Sequence, residues 1–414
     1  MIDYLVMGAG LSGLMSAYAA VQSGHRVKVI AKGLGALHWG AGSIDVLGYL
    51  PQARDAVVRR PLERLADLPA DHPYTILGPA AVQDGLDKFM RLTEELGLPY
   101  YGAEAAGENL LLPSPAGALR PAFLAPAAQS AGAASDGAPM LIVGFERLRD
   151  FYPELIAENL TRQGIAARAV KLPYELLSDR RDANTVQLAQ ELDDENRTER
   201  LAEFLREAVR PGERIGLPAL LGLTRHAQVV TRLALAAGAP VFEIPTLPPS
   251  VPGIRLFNTL RAGLEARGVR VEAGMEVIEM NAEEGVIRWV ASETSARPLR
   301  HRAERFVLAT GGILGGGFMS DHTGRIWETV FDLPLTTPQS RSQWFRPAFL
   351  APDGHPVFQG GVRVNAAFQP VDAQGAPCFA NLHVVGGALA GCDPLAERSL
   401  EGLAIATGMN LLKE

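Results

Sequence analysis

Along the first thirty positions, apolar runs and a glycine-punctuated stretch follow one another in an order that predicts a fold unit. Ile2–Met7 is a short, branched apolar run of the kind that fills a strand buried on both faces of a parallel sheet. A turn follows, with glycine at Gly8, Gly10 and Gly13. Leu14, Ala17 and Val21 then recur at helical spacing until Gly24, and 27–30 is a second strand. Strand, turn, helix and strand make one βαβ unit.

The same alternation restarts at residue 140. It predicts strands at 141–143, 167–172, 215–217 and 241–244, and helices over 151–164, 197–209 and 226–237. That is a second α/β unit inserted into the first. The pattern then returns to the first domain with a helix over 253–268, strands at 269–273, 276–280, 286–291, 306–309 and 382–385, and a last helix over 400–412. Residues 51–72 read as connecting structure. A helix over 82–96 is stopped by Gly97 and Pro99. The Ala/Gly/Pro/Ser-rich stretch 114–139 reads as a long surface excursion. The fold class expected is α/β: a Rossmann-type FAD/NAD(P)-binding-like domain over 1–113 and 246–414, with a second α/β domain over 114–245.

Composition removes several functions. With 47% hydrophobic and 21% charged residues, the chain is globular, not disordered. A net charge of −7 and the lack of a basic stripe argue against nucleic acid as a partner. Cys378 and Cys392 are the two cysteines, too few for an iron–sulfur ligand set or a disulfide framework, which fits a reducing compartment. His226, His301, His322, His355 and His383 show no metal-ligand spacing, so no metal is expected. Asp3 and Tyr4 stand where a leader would carry positive charge, and no run of 18 apolar residues occurs. The expected location is cytoplasmic.

The chemistry is concentrated at strand ends. In Gly8-x-Gly10-x-x-Gly13, Gly8 permits the tight turn, Gly10 lets the backbone approach a pyrophosphate, and Gly13 allows the helix to pack on the strand. Ala9 and Ser12 complete this cofactor-binding turn, and the phosphate would rest on the helix amino terminus. In the stretch Leu37-His38-Trp39-Gly40-Ala41-Gly42-Ser43, small residues give a flavin access to backbone N–H groups. Ser43 is a cofactor candidate there, and His38 could contact flavin or substrate. Thr310-Gly311 closes a buried strand, and Gly386-Gly387 precedes the last helix, whose positive end would stabilise a reduced, anionic flavin ring. Four prolines between Pro245 and Pro252 fix a rigid loop before Arg255, which could meet a phosphate or carboxylate in a functional cleft.

Several of these stretches, ALHWGAGSIDVL at 36–47, HPY at 72–74, TLPPSVPGIRL at 246–256 and VGGALAGCDPL at 385–395, give the chain a resemblance to the B subunit family of the anaerobic glycerol-3-phosphate dehydrogenase. The resemblance implies a flavin subunit, associated with FMN, beside a catalytic FAD subunit and an iron–sulfur membrane-anchor subunit. It implies oxidation of sn-glycerol 3-phosphate to dihydroxyacetone phosphate with electrons passed to quinone, and a place on the cytoplasmic face of the inner membrane through those partners. His38 and Arg255 are the candidate catalytic residues. One departure stands out: where a glycine-rich turn is expected after Asp393-Pro394, this chain has Leu395-Ala396-Glu397-Arg398-Ser399. Two other readings are a free-standing fumarate-reductase-like flavin oxidoreductase and a non-catalytic scaffold with a degenerate nucleotide fold.

One missing side chain bears on which flavin is bound. A dinucleotide site places Asp or Glu at the end of the second strand, roughly 20 residues past the first glycine, to hold a ribose. Here Ala31 stands at that place, followed by Lys32. A mononucleotide loses nothing by this, and Lys32 could add a cation near its phosphate. The expectation is FMN, with FAD as the alternative.

Overall fold

The computed structural model describes residues 2–134, 137–349 and 351–412. The chain divides into two compact units, one of residues 2–36, 45–97 and 259–412, the other of residues 37–44 and 98–258, less the undescribed positions.

The first unit is built on a five-stranded, wholly parallel sheet. Its spatial order is Arg270–Ala273, Val27–Ala31, Ile2–Met7, Ala303–Leu308, Leu382–Val384. Val6 lies opposite Val29 on one side and Val307 on the other, and all three are buried. The branched run at the amino terminus is therefore the central strand, which explains why it carries no polar alternation. Helix Leu11–Gln22 returns antiparallel to that strand and buries Leu14, Met15, Ala17 and Tyr18. The Tyr18 hydroxyl donates to the Leu260 carbonyl at 2.9 Å, so the polar tip of this core residue is satisfied. The last helix, Leu400–Met409, presses its Gly408 on the first: a Cβ there would lie 2.7 Å from the Ser12 carbonyl oxygen. A hairpin of Val277–Glu283 and Val286–Ser292 turns at Glu284 and Gly285, both at positive φ, and pairs onward with Leu299–His301.

The second unit carries a four-stranded parallel sheet in the order Val241–Ile244, Arg214–Pro218, Met140–Phe145, Ala167–Leu172. Helices Pro153–Arg162, Glu195–Ala208 and His226–Ala237 connect its strands. The sequence periodicity located each of these within two or three residues, and missed the short helix Thr185–Glu191, capped by Asn184 and Gln187.

The stretch expected to be a surface excursion is folded inward. Leu119–Ala122 pairs antiparallel with Leu110–Pro113, Ala125–Pro126 pairs with Tyr100–Tyr101, and Phe123 and Leu124 are buried. Ser135 and Asp136 lie outside the described residues. Small residues here allow close packing where the composition suggested exposure. Because these pairings recruit 98–113, the second unit begins well before residue 114. It also continues to 258, past the expected boundary at 245.

Candidate functional site

The glycine turn of the first unit has the division of labour its spacing predicts. A Cβ on Gly8 would fall 2.2 Å from the Ala309 carbonyl oxygen, and one on Gly13 would fall 2.0 Å from the Gly8 carbonyl oxygen. Both glycines are required by the packing of backbone on backbone. Gly10 differs, since a Cβ there would meet no atom within 4 Å. The side-chain direction at Gly10 is open, at the amino end of helix Leu11–Gln22, where no side chain caps the helix. That end can take a phosphate on unpaired N–H groups and the positive end of the helix dipole.

Two further turns gather beside it. Ala9 is buried with the turn, and Ser12 lies where a Cβ on Gly386 would come within 2.6 Å of its hydroxyl. A Cβ on Gly312 would come within 2.6 Å of the Gly387 carbonyl oxygen. Gly311 and Gly386 hold positive φ, where a side chain would be strained. The buried Thr310 hydroxyl has no hydrogen-bond partner among the described residues, a condition a buried polar group rarely keeps without a ligand or water. Three turns at the carboxyl ends of three adjacent parallel strands, lined by bare backbone and one unsatisfied hydroxyl, fit the phosphate and ring of a flavin. The open crevice at such strand ends is where α/β sheets bind nucleotides.

Lys32 is placed otherwise than the cation beside a phosphate that the sequence suggested. Its ammonium pairs with Glu276 at 2.7 Å, and its side chain is 68% exposed. The Met275 N–H caps the Ala31 carbonyl at 2.9 Å, so the neighbouring strand's turn lies over the end of the second strand.

In the second unit the two motifs 37–43 and 246–256 pack on each other. A Cβ on Gly253 would lie 1.7 Å from the Leu37 carbonyl oxygen, and one on Gly42 would lie 2.4 Å from the Pro252 ring. The Ser250 N–H donates to the His38 carbonyl at 2.8 Å, and the His38 ring, half-buried, tilts against Phe257. Ser43 is buried and its hydroxyl accepts from Arg120 Nη1 at 2.7 Å. The Gln129 amide, itself bound to Arg120, donates to the Ala41 carbonyl at 2.7 Å. The Ser43 hydroxyl thus takes part in the loop's internal brace.

Arg255 also departs from expectation. It lies in helix Val251–Ala266, only 5% exposed, and not in a cleft. Its Nη1 and Nη2 donate to both carboxylate oxygens of Glu243 at 2.7 and 3.0 Å, and its Nε donates to the Gly222 carbonyl at 2.8 Å. Burial pushes the Glu243 carboxyl up, but Arg255, with His226 behind it, outweighs this and holds it below the usual range. A guanidinium committed in this way fastens loop 219–226 and has no free fork for a substrate.

The sequence reading missed a cluster in the first unit. His72 is fully buried: its Nδ1 accepts from the Tyr74 N–H at 3.0 Å, and its Nε2 donates to Glu397 at 3.1 Å. Glu397 also accepts from the Asp393 N–H at 3.0 Å and the Ser399 hydroxyl at 3.3 Å. Arg54 lies 3.7 Å from Asp393, whose pKa burial raises. The signal was present in HPY and GCDPL, but nothing in either stretch shows that they meet. Glu397 stands where the glycine-rich turn was expected, and its carboxylate gathers His72, the Asp393 N–H and the Ser399 hydroxyl.

Comparison with known proteins agrees with this geometry. Residues 3–400 match the model of a family described as FAD binding domain. The molecule is thus a flavin-binding protein of that class, with an α/β fold of Rossmann type that holds a second α/β unit. The chain is 35% identical to the probable anaerobic glycerol-3-phosphate dehydrogenase B subunit of Halobacterium salinarum, over 98% of this chain and 96% of that one. It is 30% identical to the anaerobic glycerol-3-phosphate dehydrogenase B subunit of Vibrio cholerae, over 100% and 96%. It belongs to the family of anaerobic glycerol-3-phosphate dehydrogenase B subunits. Among solved structures it is similar to the open conformation of a flavocytochrome c3 fumarate reductase, with a TM-score of 0.44 and 11% identity over 99% of this chain and 77% of that chain.

Proposed function

We propose that this chain is the flavin-carrying subunit of a multi-subunit dehydrogenase that oxidises sn-glycerol 3-phosphate to dihydroxyacetone phosphate and passes the electrons toward quinone. The observation that carries the reading is the open side-chain direction at Gly10, flanked by Gly8 and Gly13, which are closed by packing. A bound flavin supplies the two-electron acceptor. The chain supplies the phosphate seat at the head of helix Leu11–Gln22, the bare turns at Gly311 and Gly386-Gly387, and the Thr310 hydroxyl as a hydrogen-bonding group. His38 remains the candidate for contact with flavin or substrate. The partners in this reading are a catalytic FAD subunit and an iron–sulfur subunit that anchors the assembly on the cytoplasmic face of the inner membrane. No helix among the described residues is long and apolar enough to cross a membrane.

The flavin proposed is FMN, because Ala31 offers no acceptor for an adenosine ribose. Hydrogen bonds to a charged group contribute about 1.5–3 kcal/mol, so its loss weakens a dinucleotide by roughly ten- to a hundredfold. A second reading, FAD, is favoured by the description of the matched family. Mass spectrometry of the flavin released on denaturation separates the two. Reconstitution with the partner subunits tests the reaction: turnover with glycerol 3-phosphate should need this chain in its flavin-loaded form.

A further inference from the structure

Arg398 occupies a backbone conformation that its side chain disfavours. Its φ is +51°, in the left-handed region that favours glycine. Such a residue costs roughly five- to thirtyfold in the folding equilibrium. What the side chain gives back is small. Its Nη1 donates to Asp45 Oδ2 at 3.2 Å, and this is its only hydrogen bond or ion pair among the described residues. The Arg398 side chain is 38% exposed, and a pair of that exposure returns less than about fivefold. Stability therefore does not account for arginine at this position.

The surrounding structure imposes the conformation. The Glu397 carbonyl accepts from the Gly48 and Tyr49 N–H groups at 2.8 and 3.1 Å, and its carboxylate is held by His72, Asp393 and Ser399. The Ser399 N–H closes on the Pro394 carbonyl at 3.1 Å. Strain kept in place by a scaffold on both sides is a mark of functional positions. Arg398 also stands two residues before helix Leu400–Met409, whose Leu400 side chain would lie 3.3 Å from a Cβ on Gly387. Arg398 is thus two residues along the chain from a side chain that packs on the Gly387 turn.

We propose that Arg398 binds the phosphate group of the substrate, a phosphate monoester of a small polyol. Asp45 anchors one nitrogen of the guanidinium, and the remaining N–H groups form the planar fork that matches phosphate oxygens. The proposal rests on the reading of this chain as a glycerol 3-phosphate oxidoreductase subunit.

The test uses the full flavin-loaded chain and its Arg398→Gly and Arg398→Lys variants. Calorimetric titration with sn-glycerol 3-phosphate, and with unphosphorylated glycerol as control, gives the affinities. Arg398→Gly should raise the melting temperature, because the strain is relieved, yet weaken binding of the phosphate ester at least tenfold. Arg398→Lys should fall between, and flavin content should not change in either. A role in stability alone cannot give these opposite signs. Undiminished affinity in Arg398→Gly, or a lowered melting temperature, would overturn the proposal. Loss of flavin from that variant would also overturn it, by reassigning Arg398 to the cofactor. A flavin-loaded wild type that fails to bind the ester would remove the substrate reading and this inference together, and leave the flavin assignment standing.

Discussion

At the scale of single residues, the glycine turn makes a sharp demand on mutagenesis. Gly10→Val adds a side chain to open space, so the protein should fold with an unchanged melting temperature and lose its flavin. Gly13→Ala puts a methyl group 2.0 Å from a carbonyl oxygen, so the cost is overpacking, about 1–3 kcal/mol or more. Thermal denaturation beside flavin content distinguishes the two; equal destabilisation by both would mean that Gly10 is as tightly packed as its neighbours. Arg255→Ala should act on stability, not on substrate. It strands the Glu243 carboxylate without its cation in a fully buried place, which costs about 3–5 kcal/mol. A denaturant titration that finds less than about 1 kcal/mol would show that the pair with Glu243 does not hold this part of the fold. Arg255 also shows where residue-level reading of a sequence stops. Its proline-fixed loop was legible, but the Glu243 that takes its fork lies in strand Val241–Ile244, before that loop, and has no sequence mark of its partner.

At the scale of elements, the strands and helices were legible where one face or both faces of a sheet demanded apolar residues. The first βαβ unit and the alternation from 140 to 244 came directly from period and glycine placement, since parallel strands leave continuous apolar runs. The segment 114–139 was misread for the converse reason: alanine and proline carry little hydrophobic signal, and the pairing of 119–122 with 110–113 is set by neighbours. The edge strand Leu382–Val384 adds a pH dependence that the sequence did not suggest. Burial, with help from Arg305, lowers the His383 imidazole to about 4, and its Nδ1 is buried without a partner among the described residues. A lowered folded-state pKa means stability that is complete above the unfolded value near 6.5 and is lost as the pH falls toward 4. The loss is about 3 kcal/mol. His226 and His301 are lowered by burial and act with the same sign. Urea titrations from about pH 7.5 down to about pH 4 should show this loss in the wild type and a shallower one in His383→Asn; equal slopes would show that His383 does not carry it.

At the scale of the whole molecule, a subunit of the proposed dehydrogenase should do less alone than in its assembly. No group of three or more His, Cys, Asp or Glu among the described residues could hold a metal ion, and the acid–base groups that do cluster, His72, Glu397 and Asp393, are buried. In the proposed function the electrons leave through partner subunits, so the purified chain should turn over glycerol 3-phosphate weakly with an artificial acceptor and strongly only with those subunits; robust turnover alone would argue for a free-standing oxidoreductase. The glycines proposed to seat the flavin were legible in the sequence, and close packing of backbone on backbone requires two of them, Gly8 and Gly13. The His72–Glu397 contact and the strain at Arg398 were not, because both arise from segments that meet only on folding. The central claim is that the Gly8–Gly13 turn seats a flavin. Its most direct test is to purify the wild type and Gly10→Val, denature both, and identify and quantify the flavin released. The expected result is one flavin per wild-type chain, FMN if the missing acceptor at Ala31 decides, and none from a folded Gly10→Val. A colourless wild type, or a variant that keeps its full flavin, would contradict it.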